Sequence, residues 1–448
     1  MSLRLPGRLA SVTAALVLAT AGCNDFLKAS NPSAIQADDL TNPAYATLMI
    51  NGVIGEYQQV VDDQALYSGV FGDELFNNHP FGENREIDKR NIDLGNGTYP
   101  LVLYVPLQRA RFLADSVAGR LKTFDGDSAS RDLRIARVLA YAGYSYQLLA
   151  ENLCTIPVNG SVPYTPEALT TTFTLPRFTD AIAIAQAAKA ATVNTATQAS
   201  ADSIINWARV GAARAALYIN DKATARTYAA QVPANFEFRS YYSAQNTREY
   251  NLFGTDAQTS AWVSLEPKWK HLNDPRVPHP AAPENAQSNA QGNLDTVVVN
   301  GVPKIGVFIP NSTLMFSTYD GTTTGADFAR AGYIKIATGL EAQYIVAEAD
   351  GPTAATLAFV QSRRAVGGQG PYAGTDVMGE LRNQRARDFF LDGHRLGDMR
   401  RYLKYYQIDN FPRGAYLGTT SGETYNDATC WPLPLSEIAG NPNVPSTP

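Results

Sequence analysis

The sequence predicts a mainly α fold, built as a stack of paired helices with long irregular loops and a few short strands. Two observations predict it. Apolar and small residues recur at three- and four-residue spacing in two stretches, about 130–233 and about 340–406. Between them, over about 234–339, that period fades, Pro, Asn, Gly and Thr rise, and runs such as Thr296–Val299 and Lys304–Ile309 suggest small strands. With 448 residues, 45% of them hydrophobic and 18% charged, the chain has ample material for a large core.

The elements follow in order. Arg4 and Arg8 precede an apolar run, Leu9–Ala19, and then Thr20-Ala21-Gly22-Cys23. That run is too short for the ~20 residues of a spanning helix, so residues 1–22 read as a signal peptide. Small residues before a cysteine resemble a bacterial lipobox, with Thr20 where Leu is usual, and make Cys23 the lipidation site. A tether leads through Asn31-Pro32 to a helix from Pro43 to about Val61, and Gly72–Phe76 then opens a polar loop, Asn77–Thr98. From Ser130 to Asn152 a stripe of Leu133, Ala136, Ala140, Tyr144 and Leu148 predicts a helix with Ser130 as its N-cap. Phe178–Ala191 predicts its partner. Trp207, Val210, Gly211, Ala223 and Ala230 fall at the spacings of the tetratricopeptide signature, with Arg214 and Thr227 in place of its aromatics. Leu340–Glu348 and Thr353–Arg364 form a further pair.

Arg382–Tyr402, RNQRARDFFLDGHRLGDMRRY, is the densest charged stretch of the chain. Leu396, Met399, Leu403 and Tyr406 recur at helical spacing, so a helix begins just after Gly393. Arg395 with Asp398, and Arg385 with Asp388, stand three apart, and the block reads as a solvated salt-bridge network. The block resembles the signature of the SusD/RagB family of nutrient-binding lipoproteins, carried here by Asp388, Phe389, Phe390, Gly393, His394, Arg395, Asp398, Arg400 and Arg401. Further landmarks follow the family's order: Phe26-Leu27, Asp274-Pro275-Arg276, Tyr344 with Ala347-Glu348, and Trp431-Pro432-Leu433-Pro434 before Glu437 and Asn441-Pro442. The resemblance implies a SusD-like helical-repeat fold, with residues 23–448 as one domain and 234–339 as its loop-rich insertion. It also implies a non-enzymatic, surface-exposed outer-membrane lipoprotein that binds an oligosaccharide, a peptide or a similar nutrient and delivers it to a TonB-dependent SusC-like transporter.

Enzyme constellations are missing from the sequence: no Gly-x-Ser-x-Gly, Gly-x-x-x-x-Gly-Lys, His-Glu-x-x-His or Cys-x-x-Cys occurs. No catalytic residue, metal site or cofactor is expected. His394 has no nucleophile or second base beside it in sequence, and His271 and His279 share a loop without ligand spacing. Loss of Arg4 and Arg8 leaves 35 basic against 42 acidic residues, a net charge of −7 that argues against nucleic acid. With Cys23 lipidated, Cys154 and Cys430 remain, and outside the cytoplasm a disulfide between them competes with two separate thiols. Aromatic rings in polar loops suit the C–H faces of sugars, which makes Phe81, Tyr99, Tyr241, Tyr242, Trp262, Trp269 and Tyr319 the candidate ligand-binding residues. The alternative function is a helical-repeat scaffold that organises surface proteins without a small ligand, and a third class is a glycan-processing enzyme with paired loop carboxylates.

Overall fold

The computed structural model describes residues 39–77, 79, 81–252, 263–269, 272, 274–277, 287–288, 295–299, 302–305, 332–416 and 422–445. Cys23, Trp262, Tyr319 and the predicted signal peptide lie outside them. The chain divides into two compact units, Met1–Met49 and Ile50–Pro448. The described part of the first holds two single-turn 3-10 helices, Asp39–Thr41 and Pro43–Tyr45, the second capped by Asn42.

Helix α1, Ala46–Phe71, runs ten residues past the expected end near Val61. Asp62 and Gln64, polar residues just past that end, are buried and bonded: Asp62 Oδ2 accepts the Leu252 amide at 2.7 Å, and Gln64 Nε2 donates to the Gly393 carbonyl at 3.1 Å. Buried polar groups persist where such partners exist. A short helix, α2 (Gly82–Asp88), occupies part of the expected polar loop.

The first helical group comprises α3 (Val105–Asp125), α4 (Leu133–Asn152), α5 (Leu175–Ala190), α6 (Thr195–Tyr218) and α7 (Lys222–Ala229). Asp132, not Ser130, caps α4 by accepting the Arg134 amide at 2.7 Å; Ser130 lies in a 3-10 turn, Gly126–Arg131. A short acidic side chain placed just before the helix serves best because it also meets the positive end of the helix dipole. Phe178 of α5 packs between α4 and α6. A Cβ on Gly211 would stand 2.3 Å from its ring and one on Gly143 2.7 Å, so the small position four residues after Trp207 admits the neighbouring ring. Trp207 itself stacks on Tyr144 (5.3 Å) and on Phe238 (4.0 Å).

The second group comprises α8 (Gly339–Asp350), α9 (Ala354–Val366), α10 (Val377–Asp388) and α11 (Arg395–Tyr406). Helices α6 and α7 pack directly on α8, and α11 packs on α4 and α6, so the two groups form one stack although residues 230–338 separate them in sequence. The described strands are short and antiparallel: β1 (Leu75–Asn77) pairs with β3 (Val263–Leu265), β2 (Glu237–Ser240) pairs with β7 (Ile334–Thr338), and β4 (Gln287–Ser288), β5 (Asp295–Val299) and β6 (Val302–Ile305) form a third sheet. The C-terminal tail returns to the end of α4. Cys154 and Cys430 are bonded (S–S 2.03 Å, Cα–Cα 5.0 Å), the Trp431 amide donates to the Asn152 carbonyl at 2.9 Å, and the Trp431 ring stacks on Phe71.

Candidate functional site

The charged block supplies the end of α10, the turn 389–394 and the start of α11, and it is buried rather than solvated. Neither expected local pair forms. Arg395 reaches instead to Asp73, 322 residues away, through two bonds at 2.7 and 2.6 Å. Arg385 binds Asp398 at 2.6 Å, and Arg401 bridges Asp398 (3.0 Å) and Glu348 (3.0 Å). Asp388 takes Arg363 (2.8 and 2.5 Å), Arg276 (3.2 Å) and the Tyr344 hydroxyl. The reason is desolvation: with water excluded, each charge settles on the partner that neutralises it fully, whatever its distance along the chain. Burial pushes Asp73 and Asp398 upward, yet their guanidinium partners prevail and hold each at about 2. The Gly393 turn has a positive φ of 86°, and a Cβ there would stand 2.5 Å from Gln64 Oε1.

Arg214, which replaces an aromatic of the repeat signature, reaches into the same core. Its Nε and Nη2 bind Glu341 at 2.6 and 2.9 Å, and Nη2 also touches His394 Nε2 and donates to the Ile336 carbonyl. His394 Nδ1 meets Asp392 at 2.7 Å, and Nε2 stands 3.3 Å from Glu341 Oε1. Burial and Arg214 push the imidazole down, but Asp392 and Glu341 outweigh them and raise it to about 9. The histidine is thus a cross-brace between the two helical groups, with both ring nitrogens engaged. Among the described residues no group of three or more His, Cys, Asp or Glu is placed to hold a metal ion. Burial raises three further carboxyls, Asp88 to about 7 and Glu74 and Glu266 to about 8. Each is walled in, accepting from Tyr416, the Leu391 amide and Tyr425 respectively.

The candidate aromatic residues separate into buried and bare. Tyr99 is 1% exposed, its hydroxyl on the Pro432 carbonyl and its ring against Trp431, so it belongs to the core and not to a ligand platform. Trp269, 6% exposed, is largely buried: Nε1 donates to the Asp73 carbonyl and the ring packs on Phe390 at 4.8 Å, so only its rim is left to line a cleft. Tyr242 is half-buried with its hydroxyl on the Gln58 carbonyl (2.9 Å). Phe81 and Tyr241, in contrast, are 65% and 62% exposed.

Both bare rings follow a strand anchored to the middle of the chain. Phe81 comes four residues after Asn77, which pairs with Val263, the residue after Trp262. Tyr241 directly follows Ser240, which pairs with Ile334. Phe81 therefore lies beyond the Val263 end of the β1–β3 ladder, and Tyr241 beyond the Ile334 end of the β2–β7 ladder. Described residues on both sides of Phe81 are hydrogen-bonded. His79 Nδ1 accepts the Phe81 amide and the rings lie 4.6 Å apart, while Asp88 Oδ2 accepts the Asn77 amide at 2.9 Å and Glu83 the Thr98 amide at 2.8 Å. Tyr241 lines a cleft of about 230 Å³ with Tyr57, Gln58, Arg137, Tyr141 and Arg239. Gln58 Nε2 donates to the Tyr241 carbonyl at 2.8 Å, and the Arg239 guanidinium lies 3.9 Å above the Tyr333 ring. Sequence reading missed Arg137 and Arg239, although Glu237–Ser240 running into a tyrosine pair is the pattern of a strand delivering rings to a cleft.

No family model and no curated protein matches the sequence. Solved structures match its fold. A SusD superfamily protein from Bacteroides vulgatus aligns at a TM-score of 0.58 with 12% identity, covering 89% of this chain and 97% of that one. The chain has the SusD-like fold. A SusD-like carbohydrate binding protein from Bacteroides fragilis aligns at 0.62 with 12% identity over 90% and 99% of the two chains. Surface glycan-binding protein A from Bacteroides thetaiotaomicron, in complex with laminarihexaose, aligns at 0.61 with 13% identity over 90% and 98%. Within the SusD-like fold of this chain, the charged block is the buried joint between helical groups, and the bare rings are its peripheral loops. No helix among the described residues is long and apolar enough to cross a membrane.

Proposed function

We propose that this chain is a non-catalytic receptor for an oligosaccharide or similar nutrient, cut after residue 22, tethered to the outer membrane through a lipid on Cys23, and facing outward. It passes its ligand to a TonB-dependent transporter of the SusC type. The observation that carries the reading is the pair of bare rings, Phe81 and Tyr241, each just beyond a strand that pairs with the loop-rich part of the chain. Fold neighbours described as carbohydrate binding, one of them holding laminarihexaose, support the same reading.

Function here is capture and release, with no bond made or broken. An exposed ring packs the C–H face of a pyranose, and the Tyr241 cleft supplies Gln58, Arg137 and Arg239 for hydroxyls. Exposed contacts of this kind give weak, reversible binding, which suits transfer to a second protein. Affinity electrophoresis of the mature protein against a polysaccharide panel tests the reading. Retardation by at least one glycan is expected, reduced about tenfold or more in affinity by Phe81→Ala or Tyr241→Ala, roughly 1.4 kcal/mol, with no new reducing ends released. A blank panel, or retardation that both variants keep, contradicts it.

A further inference from the structure

A second cleft, of about 480 Å³, opens between the outward face of α10 and the segment after β3. Gly379, Arg382, Asn383 and Arg387 line one side; their three- and four-residue spacing puts two guanidiniums and a carboxamide on one helical stripe. Lys268 and the rim of Trp269 line the other side, with Arg395 behind.

Positive charge there exceeds its partners among the described residues. Lys268 and Arg395 share a single carboxylate, Asp73. Arg387 approaches Asp274 Oδ2 only to 3.8 Å, and Arg276 already holds that carboxylate through bonds of 2.9 and 2.7 Å. Arg382 approaches Asp376 at 3.9 Å, and Asp376 is the one carboxylate among the described lining residues, most of it in solvent. A concave site with surplus guanidiniums on a rigid helix, an amide between them and an indole rim matches an anion carried on a carbohydrate ring. Planar guanidinium forks take a planar carboxylate through paired hydrogen bonds, and the amide and rim suit hydroxyls and C–H faces.

We propose that this cleft binds the carboxylate of a hexuronate unit, so that the captured glycan is acidic; the inference rests on the glycan-receptor reading above. Lys268 follows β3 by three residues, while Phe81 lies beyond the opposite end of the β1–β3 ladder, so the cleft is a subsite separate from that ring. The test is calorimetric titration of the mature protein with tetragalacturonate and with its carboxyl-reduced counterpart, at low and at moderate salt. The acidic probe binds at least tenfold more tightly than the reduced one, and the preference shrinks as salt rises. Arg382→Gln and Arg387→Gln each remove the preference, and Asn383→Asp, which adds a negative charge to the same stripe, weakens the acidic probe more than the reduced one. Equal binding of the two probes, or a preference that all three variants keep, overturns the inference. If the protein then still binds a neutral glycan from the panel, the receptor reading stands alone; if it binds no glycan at all, both fall.

Discussion

Substituting His394 by Gln removes a titrating brace and leaves a side chain of similar reach. In the folded protein Asp392 and Glu341 hold the imidazole at about 9 against burial and Arg214, compared with 6.5 for a free side chain. A group raised by folding stabilises fully below its unfolded value, and the contribution disappears as pH rises through the folded value. The interval corresponds to about 3 kcal/mol at roughly 1.4 kcal/mol per pH unit, present at pH 6 and largely gone by pH 9.5. Urea denaturation of both proteins across that range is the assay, with stability taken from midpoint and slope. The wild type alone is not diagnostic, because Glu74 and Glu266, near 8, and Asp88, near 7, also cost stability as pH rises toward those values. Their effect is common to both proteins and cancels in the difference. The His394→Gln deficit should therefore shrink from about 3 kcal/mol at pH 6 toward 1 or less at pH 9.5. A deficit that stays constant refutes the reasoning, since it means a neutral imidazole that accepts from Arg214 at Nε2 throughout.

Two further predictions concern the frame. Gly211→Ala places a methyl 2.3 Å from the Phe178 ring, which Gly143 prevents from retreating, so urea denaturation should show a loss of about 1–3 kcal/mol that Phe178→Leu partly restores. Reduction of the Cys154–Cys430 bond, which closes a separation of 276 residues, should cost up to about 5–6 kcal/mol by the chain-entropy estimate. Cys430→Ser should match the reduced wild type and ignore reductant, and a non-reducing peptide map with both thiols free contradicts the pairing.

The helical stack was legible where apolar residues mark one face strongly, as in α4 with Leu133, Ala136, Ala140, Tyr144 and Leu148. Helix α3 escaped notice because alanines and a buried arginine, Arg111, carry much of its inward face, so its pattern has little contrast. The end of α1 was misplaced for a related reason: Asp62 and Gln64 look like surface residues until Leu252 and Gly393, far along the chain, are seen to satisfy them. The charged block was legible as a family landmark and illegible as physics. Local spacing suggested pairs three residues apart, whereas burial selected Asp73, Glu348 and Arg363, positions that only the folded stack brings near. Of the aromatic candidates, loop position separated nothing. Tyr99 is core and Trp269 shows only its rim because Pro432 and Asp73 carbonyls await their polar atoms, and no sequence pattern announces those partners.

The most direct test of the receptor reading is the structure of the mature protein with the glycan that retards it most. A sugar ring stacked on Phe81 or Tyr241, with the chain uncleaved, is the predicted result. A ligand lodged among the helices away from both rings, or a hydrolysed product in a cleft lined by paired carboxylates, contradicts it.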